Sequence, residues 1–221
     1  MILGIDTSLG TSVAVVGSDG VVHAEVSRAD PLGHAEVIGT LIETALANAA
    51  DGTTGAGAPG PIEVTHVAVG MGPGPFTGLR VGIAAARAFA LGRGLPVIAV
   101  PSHDAAALAV VLAAPFADAP RFAVVTDARR REFAFSVYDG LDDDALPIRV
   151  AGPSLTPRDH TDAALAALGA ERRDTTAISA AMIGLAAGRA HAVGRVLSGP
   201  EPLYLRPPDV TLPTAPKRVG T

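Results

Sequence analysis

The stretch Gly70-Met71-Gly72-Pro73-Gly74-Pro75-Phe76-Thr77-Gly78-Leu79-Arg80 packs four glycines and two prolines into nine residues. Glycine permits positive φ and close backbone approach, whereas proline fixes φ and removes an N–H donor. An apolar run, Val64 to Val69, enters this stretch, and a helical pattern from Leu79 to Leu91 leaves it. Strand, glycine-rich loop and helix N-terminus together suit two roles. One is an anion cradle built from free backbone amides. The other is a rigid turn that docks a helix on a sheet.

Around this stretch the pattern predicts strands at Ile2–Ile5, Ser12–Val16 and Val21–Val26, the last two joined by Gly17-Ser18-Asp19-Gly20 as a hairpin turn. The apolar spacing of Val37, Ile38, Leu41, Ile42, Ala45 and Leu46 predicts a helix over His34–Asn48. A loop over Asp51–Pro61 precedes a strand at Glu63–Val69. Gly92-Arg93-Gly94 caps the Leu79–Leu91 helix, Leu95–Val100 is a strand, and Ser102 is a candidate N-cap for a helix over Ser102–Ala114.

Pro115–Pro120 is a seam that divides the chain into 1–115 and 116–221. Beyond it, strands are expected at Arg121–Thr126, Glu132–Tyr138 and Ile148–Ala151. Helices are expected at Pro157–Gly169 and Thr176–Leu197, and Pro202–Thr221 is a Pro-rich extended tail. The order β-β-β-α-β-α-β-α followed by β-β-β-α-α predicts an α/β protein with two lobes of mixed sheets flanked by helices. This is the actin/Hsp70-like (ribonuclease H-like) architecture with a reduced second lobe. Fold alone assigns no function.

Several function classes recede on composition. The 221 residues contain no cysteine, which excludes disulfide frameworks, zinc–thiolate sites and a cysteine nucleophile. The net charge of −5 disfavours a stand-alone nucleic-acid binder. No apolar run reaches the roughly 20 residues of a membrane span, and Met1-Ile2-Leu3-Gly4-Ile5-Asp6 lacks the basic start of a signal peptide, so a cytoplasmic location is expected. The six histidines, His23, His34, His66, His103, His160 and His191, include no i, i+3 or i, i+4 pair. His34 and His103 open predicted helices and read as capping or interface residues. No serine lies in a G-x-S-x-G context.

Asp6-Thr7-Ser8, between the first two strands, has two readings: a phosphate loop, or a turn capped by its own side chains. Asp127 with Arg129, Arg130 and Arg131 is either a solvated ion-paired hairpin or a basic patch that meets RNA or a partner. This hairpin, where a second phosphate loop would stand, has no glycine.

Four strings then occur in a familiar order: Met1 to Ser8, Gly70 to Gly82, Thr126 to Arg130, and Glu201-Pro202-Leu203-Tyr204-Leu205-Arg206. Together they resemble the TsaB (YeaZ) family, of the glycoprotease-like branch of the actin/Hsp70/sugar-kinase superfamily. The resemblance implies a non-catalytic dimerisation subunit of the tRNA N6-adenosine threonylcarbamoyltransferase complex, in which TsaD forms threonylcarbamoyladenosine at position 37 of tRNAs reading codons that start with A. It implies TsaD-like and TsaE-like partners, tRNA contact through the complex, and self-association through the same helices when alone. TsaD binds metal partly through an H-x-x-x-H motif, which this sequence lacks. No metal or cofactor of its own is expected, and ATP at the complex interface is the one candidate nucleotide.

The expected interface comprises Val37, Leu41 and Leu46 on the first helix and Leu79, Ile83, Ala86 and Ala90 on the second, with Gly72, Gly74 and Gly78 shaping the loop between strand and helix. Ala86→Arg is expected to break partner binding and spare the fold. The segment Ala163–Thr176 is shorter than the family pattern and lacks the expected Gly-containing strand-turn. The alternative function is a stand-alone ATP-dependent kinase or a glycoprotease-like peptidase of the same fold.

Overall fold

Strand β1 (Ile2–Asp6) is buried along its whole length, which is why it reads as an apolar run with no polar alternation. In the computed structural model, which describes residues 1–30, 33–52, 62–114 and 120–206, β1 lies at the centre of a five-stranded sheet. It pairs antiparallel with β2 (Thr11–Val16) and parallel with β4 (His66–Gly70). β3 (Val22–Arg28) and β5 (Val97–Val100) complete the order β3-β2-β1-β4-β5. The expected hairpin turn is present, with Gly17 N–H donating to Val21 O.

Side-chain alternation splits the sheet's two faces. Leu3, Ile5, Val13, Val15, Val67 and Val69 face helices α1 (His34–Gly52) and α2 (Phe76–Arg93). Ile2, Ala14, Val16 and Ala68 face α3 (Ser102–Ala113) and α5 (Ala180–Ala192). α5 comes so close to β1 that a Cβ on Gly4 would lie 2.2 Å from Ala180 O. The helix that follows the second sheet therefore packs on the first. The seam itself, 115–119, lies outside the described residues, as do 53–61 of the predicted loop and 207–221 of the predicted tail.

The second lobe is a four-stranded sheet in the order β8-β7-β6-β9, formed by β6 (Phe122–Asp127), β7 (Glu132–Leu141), β8 (Pro147–Pro157) and β9 (Glu171–Asp174). α4 (Thr161–Ala167) covers one face through Leu165. β9 corrects the expected absence of a strand-turn: Gly169, at φ 64°, turns the chain into it, and β9 pairs parallel with β6. Its Glu-Arg-Arg-Asp sequence has no apolar alternation because it is a charged edge strand.

Other boundaries also moved. β8 runs to Pro157, so α4 starts at Thr161, not Pro157, and α5 starts at Ala180, with Ser179 Oγ accepting from Met182 N–H. α2 begins at Phe76 with Pro75 as N-cap, which places Gly78 inside the helix. The αL cap at Gly94 is where the sequence placed it. Among the described residues no helix is long and apolar enough to cross a membrane.

Candidate functional site

The four sequence strings meet at one place, where the lobes adjoin. The Asp6 carboxylate accepts three hydrogen bonds: from Ser8 N–H (2.8 Å), Ser8 Oγ (2.5 Å) and Ser102 Oγ (2.5 Å). Ser102 Oγ in turn accepts from Gly72 N–H (3.0 Å), and Ser102 N–H donates to Gly72 O (2.8 Å). Ser102 is thus not the N-cap of α3; Pro101 holds that position, and the serine side chain points back into the loop. Thr7 Oγ1 donates to Gly78 O at 2.7 Å. Asp6, Thr7 and Ser8 are all buried, Asp6 with 2% exposure.

The glycines permit this closure. A Cβ on Gly70 would lie 1.8 Å from Asp6 Oδ2, one on Gly74 2.8 Å from Ser8 Cβ, and one on Gly82 2.2 Å from Thr7 Oγ1. Real side chains essentially cannot approach so closely, so the i, i+4 spacing of small residues lets loop and helix lie directly on Asp6-Thr7-Ser8. Gly78 shows why the sequence reading began the helix too late. Its low helix propensity suggested a loop, but the absent side chain makes room for Thr7 O and the His34 ring.

Of the two readings of Asp6, Thr7 and Ser8, this geometry matches the turn capped by its own side chains. Their side-chain polar groups are turned inward and bonded to Gly78 O, Ser102 and each other. Burial pushes the Asp6 carboxyl above its ordinary pKa, opposed by the hydrogen bonds from Ser102 and Ser8. His34 and His103 are also buried. His34 Nδ1 lies 2.8 Å from Thr11 Oγ1, and His103 bridges Ser136 Oγ (2.9 Å) and Thr126 Oγ1 (3.0 Å). Burial lowers the His103 pKa to about 3, with the nearby Arg149 charge adding to the effect. His103 is therefore a neutral core residue that bonds α3 to the second sheet.

The string Glu201–Arg206 lies across this junction as a strap. Leu203 N–H donates to Met71 O. The Tyr204 ring lies tilted against Phe76, centroids 4.8 Å apart, and Arg80, whose guanidinium sits 3.7 Å over the Phe76 ring, donates to Tyr204 Oη. Arg206 crosses to the second lobe, where it pairs with Glu132 and donates to Ala128 O. Nothing in the sequence pattern places Tyr204 on Phe76; only the family strings hinted that these segments belong together.

Between the lobes is a cleft of about 570 Å³ lined by Leu9, Gly74, Thr77, Arg129, Arg130 and Tyr204, among others. Arg129, Arg130 and Arg131 form the β6–β7 turn, each at left-handed φ (61°, 52° and 61°). That conformation costs an L-residue about 1–2 kcal/mol. Asp127 stands at the end of β6, where this turn begins. It binds Arg158 (2.7 Å) and accepts from Arg129 N–H (2.8 Å).

The expected interface residues separate into two sets. Val37, Leu41 and Leu46 on α1 are half-buried. Leu79, Ile83, Ala86 and Ala90 are buried against the first sheet and cannot line an outer surface of the folded chain. The small-residue stripe follows the 3.6-residue period but faces inward, and the outer face of α2 carries Thr77, Arg80, Ala84, Arg87, Ala88 and Leu91. The Ala86→Arg expectation changes accordingly, because the new charge would enter the core.

A family model, TsaD, tRNA N6-adenosine threonylcarbamoyltransferase, matches residues 11–150. An uncharacterised protein of Mycobacterium tuberculosis is 38% identical over 174 residues, covering 76% of this chain and 72% of the relative. The tRNA threonylcarbamoyladenosine biosynthesis protein TsaB of Escherichia coli is 33% identical over 99 residues, covering 45% of this chain and 39% of that protein. An uncharacterised protein of Mycobacterium leprae is 35% identical over 160 residues, and the match covers only 38% of its length. Among solved structures, YeaZ from Pseudomonas aeruginosa superposes with a TM-score of 0.69 at 22% identity, covering 92% of this chain and 99% of that one. A Pseudomonas aeruginosa protein described as similar to peptidase YeaZ gives 0.72 at 23% identity, covering 93% and 99%. At these identities the structural likeness supports the two-lobed fold alone.

Proposed function

The chain belongs to the TsaB (YeaZ) family, within the group that the threonylcarbamoyltransferase model describes, and on that premise we propose that it is the non-catalytic subunit of a tRNA threonylcarbamoyladenosine-forming complex. In this reading it supports a TsaD-like transferase, a TsaE-like ATPase joins the assembly, and tRNA is reached through the complex. The observation that carries the non-catalytic part is the closed Asp6–Ser8–Ser102 clasp. A kinase of this fold would need the first loop open to a phosphate, yet here its carboxylate and hydroxyls are spent within the core. A metal-dependent transferase would need its H-x-x-x-H pair, which the sequence lacks. The same two points count against the kinase and peptidase alternatives.

The structure suits a scaffold. Strap, clasp and glycine loop fix α2 beside α1, and the half-buried Val37 and Leu41 with the outer residues of α2 offer a helix-pair surface to the transferase subunit or to a second copy. Nucleoside mass spectrometry of tRNA from cells depleted of this protein tests the reading. Threonylcarbamoyladenosine should fall several-fold and recover on re-expression; an unchanged level refutes it.

A further inference from the structure

Two histidines far apart in sequence meet at the end of the first sheet that is remote from the glycine loop. His66 opens β4, His191 lies in the last turn of α5, and their rings stand 4.3 Å apart, centre to centre, tilted by 53°. We propose that this pair binds a divalent late first-row transition-metal ion, Cu²⁺ or Ni²⁺ in preference to Zn²⁺, through one nitrogen of each ring. His66 is half-buried and His191 exposed, so an ion can reach both from solvent.

The hydrogen bonds of Thr65 fix which nitrogen of His66 is free. The Thr65 hydroxyl donates to Met1 O (3.2 Å), which leaves it only lone pairs to offer His66 Nδ1, 3.0 Å away. Nδ1 therefore carries the ring proton and Nε2 the lone pair. An outer hydrogen bond of this kind orients metal-binding imidazoles. Partial burial pushes the His66 pKa below its ordinary value, and charge on His191 and on the Met1 amino group adds to the shift, so the ring is neutral and able to coordinate.

His191 is positioned by close backbone packing. A Cβ on Gly184 would lie 2.8 Å from Val16 Cγ2, and one on Gly188 3.1 Å from Ile2 Cδ1, so α5 rests almost directly on the sheet. Gly194 N–H donates to His191 O and Arg195 N–H to Ala190 O, which closes the helix at that point. Carbonyls at a helix C-terminus favour a cation. The arginines that flank His191 in sequence are engaged elsewhere, Arg189 by Ala145 O and Arg195 by Asp142 and Asp144.

The ring spacing selects among metals. With metal–nitrogen bonds of about 2.0–2.1 Å, each ring centre would stand about 3.2 Å from the ion, and centres 4.3 Å apart then subtend about 85°. A near-right angle suits neighbouring positions of a square-planar or tetragonal site, the preference of Cu²⁺ and Ni²⁺. Tetrahedral Zn²⁺ needs the rings farther apart. Among the described residues no group of three or more His, Cys, Asp or Glu could hold a metal, so water fills the remaining positions.

Calorimetric titration of the full chain, prepared without a histidine tag, with CuCl₂, NiCl₂ and ZnCl₂ tests the proposal. One Cu²⁺ should bind per chain, at least tenfold more tightly than Zn²⁺. Electron paramagnetic resonance of the Cu²⁺ complex should show coupling to two imidazole nitrogens. H66Q and H191Q should each weaken Cu²⁺ at least tenfold, whereas H160Q, at an exposed position before α4, should change it less than twofold. Absence of saturable Cu²⁺ binding overturns the site, as does unchanged affinity in H66Q or H191Q, or a spectrum without two nitrogens. Zn²⁺ bound as tightly as Cu²⁺ overturns the right-angle geometry. The proposal is independent of the tRNA-modification reading, which nucleoside analysis tests separately.

Discussion

Ser102 Oγ donates to Asp6 Oδ2 across 96 residues of sequence and accepts from Gly72 N–H, so one hydroxyl joins the first strand, the glycine loop and the third helix. Replacing Ser102 with alanine removes that donor and leaves the Gly72 amide and Asp6 carboxylate short of a partner inside the core. Unpaired buried groups of this kind cost about 1–3 kcal/mol each. Urea denaturation of Ser102→Ala should show a loss of about 2–4 kcal/mol; a loss under 0.5 kcal/mol would mean that the clasp contributes little.

The Asp6 carboxyl gives the clasp a pH signature. Its folded-state pKa is raised, so the native state holds the proton at pH values where the unfolded chain has released it. The associated stability is full below the unfolded value of 3.8 and is lost as pH rises through the raised folded value. Asp6→Asn can still accept from Ser8 and donate to Ser102, and it has no charge to bury. Stability measured against pH above 3.8 should fall less steeply in Asp6→Asn than in the parent chain. Parallel curves would show that Asp6 titrates normally.

His103 works in the opposite direction. Its folded pKa of about 3 lies below the ordinary value of 6.5, so the stability it contributes is present above 6.5 and declines as pH falls toward 3. The slope approaches about 1.4 kcal/mol per pH unit when one group dominates. His103→Asn retains a polar group toward Ser136 and Thr126 and removes the titration. Acid denaturation of that variant should show a shallower loss between pH 6 and 4, at the expense of some stability at pH 7.

Glycines in this chain separate by what surrounds them. Gly82→Ala drives a methyl group into Thr7 Oγ1 and should destabilise by about 1–3 kcal/mol, the range of overpacked cores. Gly39, in α1, has nothing within 4 Å of its would-be Cβ, and Gly39→Ala should stabilise by about 0.5–1 kcal/mol through helix propensity. Thermal melts of the two variants should move in opposite directions; shifts of the same sign would refute the close-approach account.

The helix-pair surface is tested by two alanines two residues apart. Ala86 is fully buried and Ala84 is exposed. Ala86→Arg should lower the melting temperature sharply or prevent folding. Ala84→Arg should melt like the parent chain and lose co-elution with the TsaD-like subunit. Retained co-elution would place the partner elsewhere.

Much of this was legible from the sequence, because the hydrophobic period is strong in β1, β2, α1 and α2. Gly94 as a left-handed cap and Gly17–Gly20 as a turn followed from local chemistry alone. What escaped was set by distant partners. Ser102 looks like an N-cap until Asp6 is brought beside it, and Gly78 looks like loop until Thr7 lies against it. Glu171–Asp174 carries no strand pattern, since only a charged edge is presented there. The inward face of Leu79, Ile83, Ala86 and Ala90 was visible as a stripe, but a stripe does not say which side of a helix meets the sheet. The cleft, made from both lobes, had no sequence signal beyond the unusual arginine turn.

The packing of α5 on the first sheet has a consequence for synthesis. Ala180 N–H donates to Ser12 Oγ, 168 residues earlier, and Val16 meets Gly184. On the ribosome, the first strands emerge long before the helix that seals their second face. Until then the apolar side chains of Ile2, Ala14 and Val16 stay wet, a delay that favours chaperone capture over autonomous vectorial folding.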